Sequence, residues 1–324
     1  MVKAVRIHKT GGADMLSYED VELPPPGPGE ARVAQKAVGL NFIDVYHRTG
    51  LYPLPSYPWT IGMEGAGVVE AVGAGVSEVA VGDRVAYASA PPGGYAEARN
   101  IKAAHLVKLP ADIPFEQAAG MMLQGMTAEY LLRRTYQVKS GDTILVHAAA
   151  GGVGLIMCQW AKHLGATVIG TVSSEAKAEL ARAHGCHHPV IYTKEDFVER
   201  VKQITDGKLL PVVYDSVGKD TLMKSIECLR TRGFLVNFGQ SSGKPEGFEL
   251  GALAPKSLYV TRPGLFNYVG TRPELVESAN ALFEVVRTGK VRVEIHHKYP
   301  LRDARKAHEE LEGRKTTGGH ILVP

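Results

Sequence analysis

The stretch Gly141-Asp142-Thr143-Ile144-Leu145-Val146-His147-Ala148-Ala149-Ala150-Gly151-Gly152-Val153-Gly154 decides the fold of this 324-residue chain. Its apolar run over 144–148 predicts a buried strand, and residues 155–164 predict a helix. A glycine pattern between a strand and a helix is the context that a dinucleotide-binding fingerprint requires. The glycine positions of that fingerprint hold Ala149, Gly151 and Gly154. Gly151 would let the backbone approach a pyrophosphate at the helix N-terminus, and Gly154 would let the helix pack closely on its strand.

Length and composition limit the classes of protein to consider. A chain of this length favours two domains, and its 44% hydrophobic and 22% charged residues are typical of a globular protein with a full apolar core. The formal net charge of +3 is too small to indicate nucleic acid as a partner. The basic residues of 290–315 alternate with acidic ones, which favours a solvated helix face over a binding patch.

Cysteine use and the chain start indicate a cytoplasmic protein. Cys158, Cys186 and Cys228 are odd in number and far apart, which argues against a disulfide framework and a zinc knuckle. The first residues alternate like a strand and lack the apolar core of a signal peptide. Since apolar runs of about 20 residues are absent as well, we expect no association with a membrane.

The pattern of elements divides the chain into two domains. Residues up to about 125 contain short β-type runs separated by glycine and proline, which predicts an antiparallel, barrel-like domain. After that, strands and helices alternate, which predicts a doubly wound parallel sheet. The final strand, 319–323, is expected to return to the first domain. The sequence therefore predicts an α/β chain with one domain over 1–125 and 267–324 and a nucleotide-binding domain over 126–266.

The second strand of the nucleotide-binding domain bears on the choice between NAD and NADP. An NAD site has an acidic residue at the end of this strand, but the strand predicted over 167–172 ends in Ser173-Ser174. Lys177 follows and could neutralise a 2′-phosphate, with Ser173 as a hydroxyl donor. Glu175 would favour NAD if it pointed inward, or it could simply favour the start of the next helix. The missing acid at the strand end favours NADP.

These motifs resemble a known family along the whole chain. The residues that carry the resemblance are Asn41-Phe42-Ile43-Asp44, Gly82-Asp83-Arg84-Val85, Gly141-Asp142, Ala149-Ala150-Gly151-Gly152, Gln159, Lys162, Tyr214-Asp215-Ser216-Val217-Gly218 and Thr261-Arg262-Pro263. At this spacing the chain resembles the quinone oxidoreductase (ζ-crystallin-like) branch of the medium-chain dehydrogenase/reductase superfamily. It looks most similar to the bacterial NADPH-dependent members of that branch.

The resemblance implies a GroES-like β-barrel catalytic domain, a Rossmann domain, a cleft between them, and NADPH as cofactor. It also implies a homodimer that pairs the edge strands of the Rossmann sheets, here at Leu258–Thr261. The cofactor-binding residues that it implies are Asn41, Phe42, Ile43, Asp44, Tyr46, Thr127, Tyr130, Gly151, Gly152, Val153, Ser173, Lys177, Tyr192, Ser216, Phe238, Gly239, Ser241, Leu265 and Arg314. Of these, Tyr192 could equally be a core tyrosine if judged by its position beside Ile191 alone.

The zinc ligands of the related alcohol dehydrogenases are missing. Asn41 stands near the place of a cysteine ligand, and Met63 stands where the Gly-His-Glu motif has its histidine. The segment Ala88–Tyr95 holds no cysteine, so the four-cysteine lobe is also absent. His47, His105, His147, His187 and His188 lie on different segments and are expected to be surface or strand residues. We therefore expect no metal site.

Without a Lewis acid, the acceptor must stabilise the incoming negative charge itself, as quinones and α,β-unsaturated carbonyls do. Catalysis would then depend mainly on proximity and orientation. Asn41 could donate a hydrogen bond to the acceptor or orient the nicotinamide, while Tyr46 and Tyr52 could stack on a flat ring and deliver a proton. Packing within the loop around 51–55 would explain Tyr52 equally well.

Other functions remain open from the sequence. An NADPH-dependent enone or enal reductase would use the same cofactor and a similarly neutral pocket. A different class is an NADPH-binding protein that serves as a crystallin or binds RNA, and a zinc alcohol dehydrogenase comes third. The sequence leaves undecided the physiological acceptor, one-electron or hydride transfer, the proton donor, and the choice between dimer and tetramer.

Overall fold

The computed structural model describes residues 1–313 and 316–324. The strands are β1 (Val2–Ile7), β2 (Leu16–Val21), β3 (Glu30–Gly39), β4 (Trp59–Thr60), β5 (Glu64–Val72), β6 (Arg84–Ala88), β7 (Ala98–Lys102), β8 (Val107–Lys108), β9 (Thr143–Val146), β10 (Thr167–Val172), β11 (His188–Ile191), β12 (Leu210–Asp215), β13 (Leu229–Asn237), β14 (Tyr259–Thr261), β15 (Ile295–Pro300) and β16 (Gly319–Val323).

The α-helices are α1 (Phe42–Thr49), α2 (Phe115–Ala119), α3 (Met122–Tyr130), α4 (Gly152–His163), α5 (Glu175–Ala183), α6 (Phe197–Ile204), α7 (Leu222–Glu227), α8 (Leu265–Tyr268), α9 (Arg272–Arg287) and α10 (Ala304–Glu312). Short 3₁₀ segments occur at Ala13–Met15, Ala103–His105, Leu250–Lys256 and Leu301–Asp303, and a π-helical turn at Leu131–Thr135. Of the described residues, none belongs to a helix with the length and apolar character needed to cross a bilayer.

The chain separates into two compact units. The first comprises Met1–Met126, Val269–Arg287 and Val293–Pro324, and the second comprises Thr127–Tyr268 and Thr288–Arg292. The short segment 288–292 is fastened to the second unit by Gln159 of α4. The Gln159 side chain donates to the Arg292 carbonyl at 3.0 Å and accepts from the Arg292 amide at 2.9 Å.

The second unit is built on a six-stranded parallel sheet in the order β11-β10-β9-β12-β13-β14. Numbered from β9, this is the doubly wound order 3-2-1-4-5-6 of dinucleotide-binding sheets. The apolar side chains of β9 and β12 are fully buried, as both faces of a covered parallel sheet require. The order reverses between β9 and β12, so a ligand site is expected outside their carboxyl ends.

The first unit is mainly antiparallel. A seven-stranded sheet has the order β15-β16-β3-β5-β6-β8, with β7 also paired to β3, and a smaller sheet has the order β2-β1-β4. As expected, the final strand returns to this unit, where β16 pairs with both β3 and β15. Apolar clusters around Val5 and around Val33 fill its interior.

Most of the predicted elements around the fingerprint are confirmed, with two shifts. β10 has the expected bounds and α5 begins at Glu175, but β9 ends at Val146, because Ala148 adopts a left-handed conformation with φ of 53°. Helix α4 begins at Gly152, three residues earlier than predicted. The fingerprint glycines therefore form its N-cap and first turn.

Gly67 of β5 tests how closely the barrel strands pack. A Cβ atom there would lie 2.0 Å from the Ala34 carbonyl oxygen of β3, a backbone atom that cannot rotate away. We expect Gly67→Ala to lower the free energy of unfolding of the first unit by more than about 2 kcal/mol. Gly251→Ala is the matched control, since nothing lies within 4 Å of a Cβ there. Equal urea midpoints for the two variants would contradict this packing.

Candidate functional site

The turn between β9 and α4 presents backbone amides at the carboxyl end of the sheet. The Gly151 amide donates to the Ala148 carbonyl at 2.9 Å, and the Ala149 amide donates to the Thr171 carbonyl of β10 at 3.0 Å. The helix N-cap is Gly151, in an extended conformation without a capping side chain of its own. The amides of the first turn of α4 are therefore left for an acceptor outside the helix, as in a phosphate site.

Gly154 explains why this turn can be so tight. A Cβ atom at Gly154 would lie 2.3 Å from the Ala148 carbonyl oxygen and 2.8 Å from the Ala149 backbone. The predicted role of Gly154 in helix packing is thus confirmed. At Gly151 a Cβ atom would lie 3.2 Å from the same oxygen, a milder but still tight contact. The residues present fit a pyrophosphate cradle.

The corner that would distinguish NADP from NAD lies where β10 and β11 end. The Tyr192 amide donates to the Val172 carbonyl at 3.1 Å, which brings the two strand ends together. Lys177 lies in the first turn of α5, and its amide donates to the N-cap Ser174 hydroxyl. Tyr192 is 43% exposed, so it is not a core residue. The backbones of Ser173 and Tyr192 are therefore close at this corner, and that of Lys177 is bonded to Ser174, the residue after Ser173.

Glu175 does not compete for this corner in the structure. Its carboxylate accepts a hydrogen bond from the Lys194 ammonium at 2.9 Å, and both side chains are exposed. An acid that pairs with a surface lysine leaves the strand end without the carboxylate that holds a ribose 2′-hydroxyl.

The loops after β12 and β13 lie against each other on the other side of the reversal point. The Phe238 amide donates to the Asp215 carbonyl at 2.9 Å, and the Ser241 amide donates to the Ser216 carbonyl at 3.1 Å. A Cβ atom at Gly239 would lie 2.7 Å from the Ser216 carbonyl oxygen. The four predicted groove residues Ser216, Phe238, Gly239 and Ser241 are thus brought together.

The remaining predicted residues of the second unit are buried by their neighbours. Tyr130 stacks on Tyr268 with ring centroids 4.4 Å apart, and it is 2% exposed. Thr127 and Leu265 are buried as well. Arg314 lies outside the described residues.

Asn41 is the centre of a buried hydrogen-bond network in the first unit. Its Nδ2 donates to Glu64 Oε1 at 2.7 Å, and its Oδ1 accepts from Gln124 Nε2 at 3.0 Å. The second carboxylate oxygen of Glu64 accepts from the Leu123 amide at 2.6 Å. The two partners fix which way the Asn41 amide points, and one N–H of Nδ2 is left for another acceptor.

Asp44 fixes the backbone beside Asn41. Asn41 is the N-cap of α1, and its amide donates to Asp44 Oδ2 at 2.8 Å. The same oxygen accepts from the Tyr95 hydroxyl at 3.1 Å, and Tyr95 also bonds the His308 ring at 3.1 Å. The carboxyl of Asp44 is fully buried, and both of these bonds go to its Oδ2. It therefore acts on the site through the position of Asn41.

Burial changes the charge state of both carboxyls. It raises the pKa of Glu64 to about 8 and that of Asp44 to about 7, although the hydrogen bonds that each group accepts act in the opposite direction. Burial and the neighbouring Arg48 lower the pKa of His308 to about 3, so this ring is neutral at pH 7. At pH 7, Glu64 is thus mainly protonated and His308 neutral, while Asp44 is close to its pKa.

An aromatic cluster accompanies Asn41 on α1 and the following loop. The Tyr46 ring contacts Tyr52 edge-on at 5.2 Å and Phe42 at 6.1 Å between centroids. The Tyr52 amide donates to the Tyr46 carbonyl at 3.0 Å, which holds the loop against the helix. Phe42, Ile43 and Tyr46 are all partly exposed, so this face of α1 is accessible within its own unit.

Sequence reasoning missed Glu64, Gln124 and Tyr95 as members of the network. Gly39 gave a usable signal, because a Cβ atom there would lie 2.1 Å from Glu64 Oε1 and 2.3 Å from the Ala119 carbonyl oxygen. A glycine at that strand end makes room for the buried carboxyl.

The predicted histidine environments are only partly confirmed. His187 and His188 are exposed, but His47 and His147 are buried among their neighbours. Within 1–313 and 316–324, no three histidine, cysteine, aspartate or glutamate side chains are grouped to hold a metal ion.

A doubly wound sheet with this fingerprint turn, joined to a separate antiparallel barrel unit, defines a dehydrogenase or reductase of the medium-chain class. Comparison with known proteins agrees. Residues 27–139 match the family model described as alcohol dehydrogenase GroES-like domain, and residues 152–281 match the model described as zinc-binding dehydrogenase.

Full-length relatives define the family. The chain is 52% identical to a quinone oxidoreductase of Pseudomonas aeruginosa over 100% of both chains. It is 47% identical to a 2-haloacrylate reductase of a Burkholderia species, over 100% of this chain and 99% of the other. The crystal structure of Escherichia coli quinone oxidoreductase complexed with NADPH superposes with a TM-score of 0.98 at 50% identity, covering 99% and 100% of the two chains. The chain belongs to the quinone oxidoreductase family.

The raised pKa of Glu64 predicts a pH-dependent stability. The folded pKa of about 8 exceeds the ordinary value of 4.5, so the stabilising contribution is complete below pH 4.5 and is lost as the pH rises through 8. Glu64→Gln abolishes this titration. We expect the difference in unfolding free energy, wild type minus Glu64→Gln, to fall by more than about 1 kcal/mol between pH 5 and pH 8.

Urea denaturation at pH 5, 6, 7 and 8 measures this difference. Glu70→Gln is the matched control, because Glu70 lies on the same strand but is exposed. A difference that stays constant with pH for Glu64→Gln would contradict a protonated Glu64.

Proposed function

We propose that this protein is an enzyme, an NADPH-dependent quinone oxidoreductase that works without a metal. The observation that carries the proposal is the identity of 52% and 50% to quinone oxidoreductases over the full chain. The replacement of zinc ligands by Asn41 and Met63 supports the metal-free part. The quinone relatives exceed the 2-haloacrylate reductase in identity, which favours quinones over conjugated double bonds as acceptors.

The second unit supplies the binding groups for NADPH. The amides of Gly152 and Val153 at the start of α4 would hold the pyrophosphate. Ser173, Lys177 and Tyr192 would surround the 2′-phosphate, where the lysine ammonium matches the charge. Ser216, Phe238, Gly239 and Ser241 would line the groove at the ends of β12 and β13. When bound, the nicotinamide supplies the reducing equivalents.

The first unit supplies the groups that orient the acceptor. Glu64 and Gln124 hold the Asn41 amide so that its remaining N–H can donate to a quinone oxygen, where negative charge develops during reduction. The rings of Tyr46 and Tyr52 would stack on the quinone and exclude water, and a tyrosine hydroxyl or water would deliver the proton. Orientation rather than acid catalysis is the main contribution of these residues.

We also propose a cytoplasmic homodimer. Strand β14 is an edge strand of the six-stranded sheet, and its Tyr259 and Val260 are 52% and 37% exposed. An exposed apolar edge of this kind supports pairing with a second copy. The three cysteines are free and buried, which supports a reducing compartment.

Initial rates in one metal-free buffer test the function. NADPH oxidation is followed with 1,4-benzoquinone, 9,10-phenanthrenequinone, 3-nonen-2-one and 2-chloroacrylate, with NADH as the control donor. We expect fast turnover with the quinones and NADPH. Turnover of only the conjugated double bonds would instead assign a double-bond reductase. NADPH binding with no acceptor reduced would favour a binding protein.

Lys177 tests the cofactor preference. Because it would contribute a charge-assisted bond to the 2′-phosphate, Lys177→Ala should lower kcat/KM for NADPH by at least about 10-fold and leave that for NADH nearly unchanged. Lys202→Ala is the matched control, since Lys202 pairs with Glu199 on α6. Equal losses for both cofactors would remove Lys177 from the phosphate corner.

Asn41 tests the orientation of the acceptor. Asn41→Ala should lower kcat with a quinone by at least about 10-fold and change the Kd for NADPH little. Asn280→Ala, on the exposed face of α9, is the matched control. An unchanged kcat for Asn41→Ala would exclude a role for this amide in turnover.

A further inference from the structure

His147 is a buried ring at the centre of the second unit, and the proposed chemistry makes no use of it. It follows the last residue of β9 and is 1% exposed. Its Nδ1 lies 2.9 Å from the Thr171 hydroxyl of β10, and its Nε2 lies 3.0 Å from the Ser225 hydroxyl of α7. The ring also packs edge-on against Phe197, with centroids 5.0 Å apart, so its plane is fixed.

The neighbouring donors and acceptors bear on which ring nitrogen of His147 carries the hydrogen. When the Ser225 hydroxyl donates to the Thr221 carbonyl at 2.9 Å or to Asp215 at 3.4 Å, its oxygen accepts from His147 Nε2–H. His147 Nδ1 then carries no hydrogen and accepts from the Thr171 hydroxyl. Burial lowers the pKa of His147, which keeps the ring in this neutral form.

The Thr171 end of this series of hydrogen bonds reaches the fingerprint turn between β9 and α4. The Thr171 oxygen lies 3.4 Å from the Ala148 amide, which is oriented to donate to it. Ala148 has a φ of 53°, a left-handed conformation that is costly for a residue with a Cβ. Its carbonyl is the group against which Gly154 packs at the start of α4. Fixing Ala148 therefore fixes the amides that follow it.

The Ser225 end of the same series of hydrogen bonds reaches Asp215 and the loop after β12. Asp215 Oδ1 accepts from the amides of Val217 and Gly218 at 2.8 and 3.0 Å, and both of its oxygens accept from the Thr221 hydroxyl at 2.9 Å. These bonds set the course of the backbone at Ser216, a groove residue. The two loops flank the point where the strand order reverses.

We propose that His147 is a positioning residue that couples the turn after β9 to the loop after β12, so that both hold the shared dinucleotide portion of the cofactor in one geometry. The inference rests on the proposed function, because it assumes a dinucleotide at this site. Thr171 and Ser225 are the two ends of the coupling. The effect should be the same for NADPH and NADH, since neither loop belongs to the 2′-phosphate corner.

Thr171→Val and Ser225→Ala remove the two ends while leaving the side-chain volume nearly unchanged. We expect Thr171→Val to raise the Kd of both NADPH and NADH at least 5-fold by the same factor, with kcat at saturating cofactor within 2-fold of the wild type. Thr171→Ser should restore the wild-type Kd. Thr167→Val, at the start of the same strand, is the matched control.

The double variant tests the coupling itself. If His147 links the two ends, the factor by which the double variant Thr171→Val with Ser225→Ala raises the Kd should be clearly smaller than the product of the factors for the two single variants. Independent sites would give that product. A double variant whose Kd is raised by the full product of the two factors would overturn the inference, and so would an unchanged Kd in Thr171→Val. A lowered thermal midpoint without a change in Kd would also overturn it, since that marks a merely structural role. A wild-type protein that binds neither dinucleotide would overturn the proposed function and this inference together.

Discussion

The second unit depends on the contact between Gly154 and the Ala148 carbonyl. Because Gly154 has no side chain, α4 can begin directly above the end of β9, and its first-turn amides face out from the carboxyl edge of the sheet. Any larger residue would push the helix away from the strand. This close approach places the amides next to the left-handed turn at Ala148, which bonds to Thr171 of β10 hold in place.

In the first unit, hydrogen bonds from neighbouring side chains hold a buried polar group in one orientation. The buried Glu64 carboxyl accepts from Asn41 Nδ2, and the Gln124 amide donates to Asn41 Oδ1. The bond from the Leu123 amide gives the second oxygen of Glu64 a partner as well, and such partners are what a buried polar group needs to be stable. Burial also keeps a proton on Glu64 at neutral pH, and on Asp44 at slightly lower pH, which lowers the cost of enclosing the two carboxyls.

The sequence predicted what depends on local pattern. The bounds of β10 followed from its β-type run, and the role of Gly154 followed from its place between strand and helix. It could not predict contacts between distant positions. Glu64 meets Asn41 across 23 residues, and Thr171 meets His147 across 24, and neither pairing has a periodic signal. Likewise, the stacking of Tyr130 on Tyr268 depends on a fold already formed.

The ion pair between Glu175 and Lys194 gives the chain an evolutionary freedom. Both side chains are exposed, and a surface pair of this kind contributes little to stability. Drift at position 194 would therefore carry almost no penalty for folding, yet it would release an acid two residues from Lys177. The charge beside Lys177 can therefore change through surface substitutions that leave the sheet, the turn and the barrel intact.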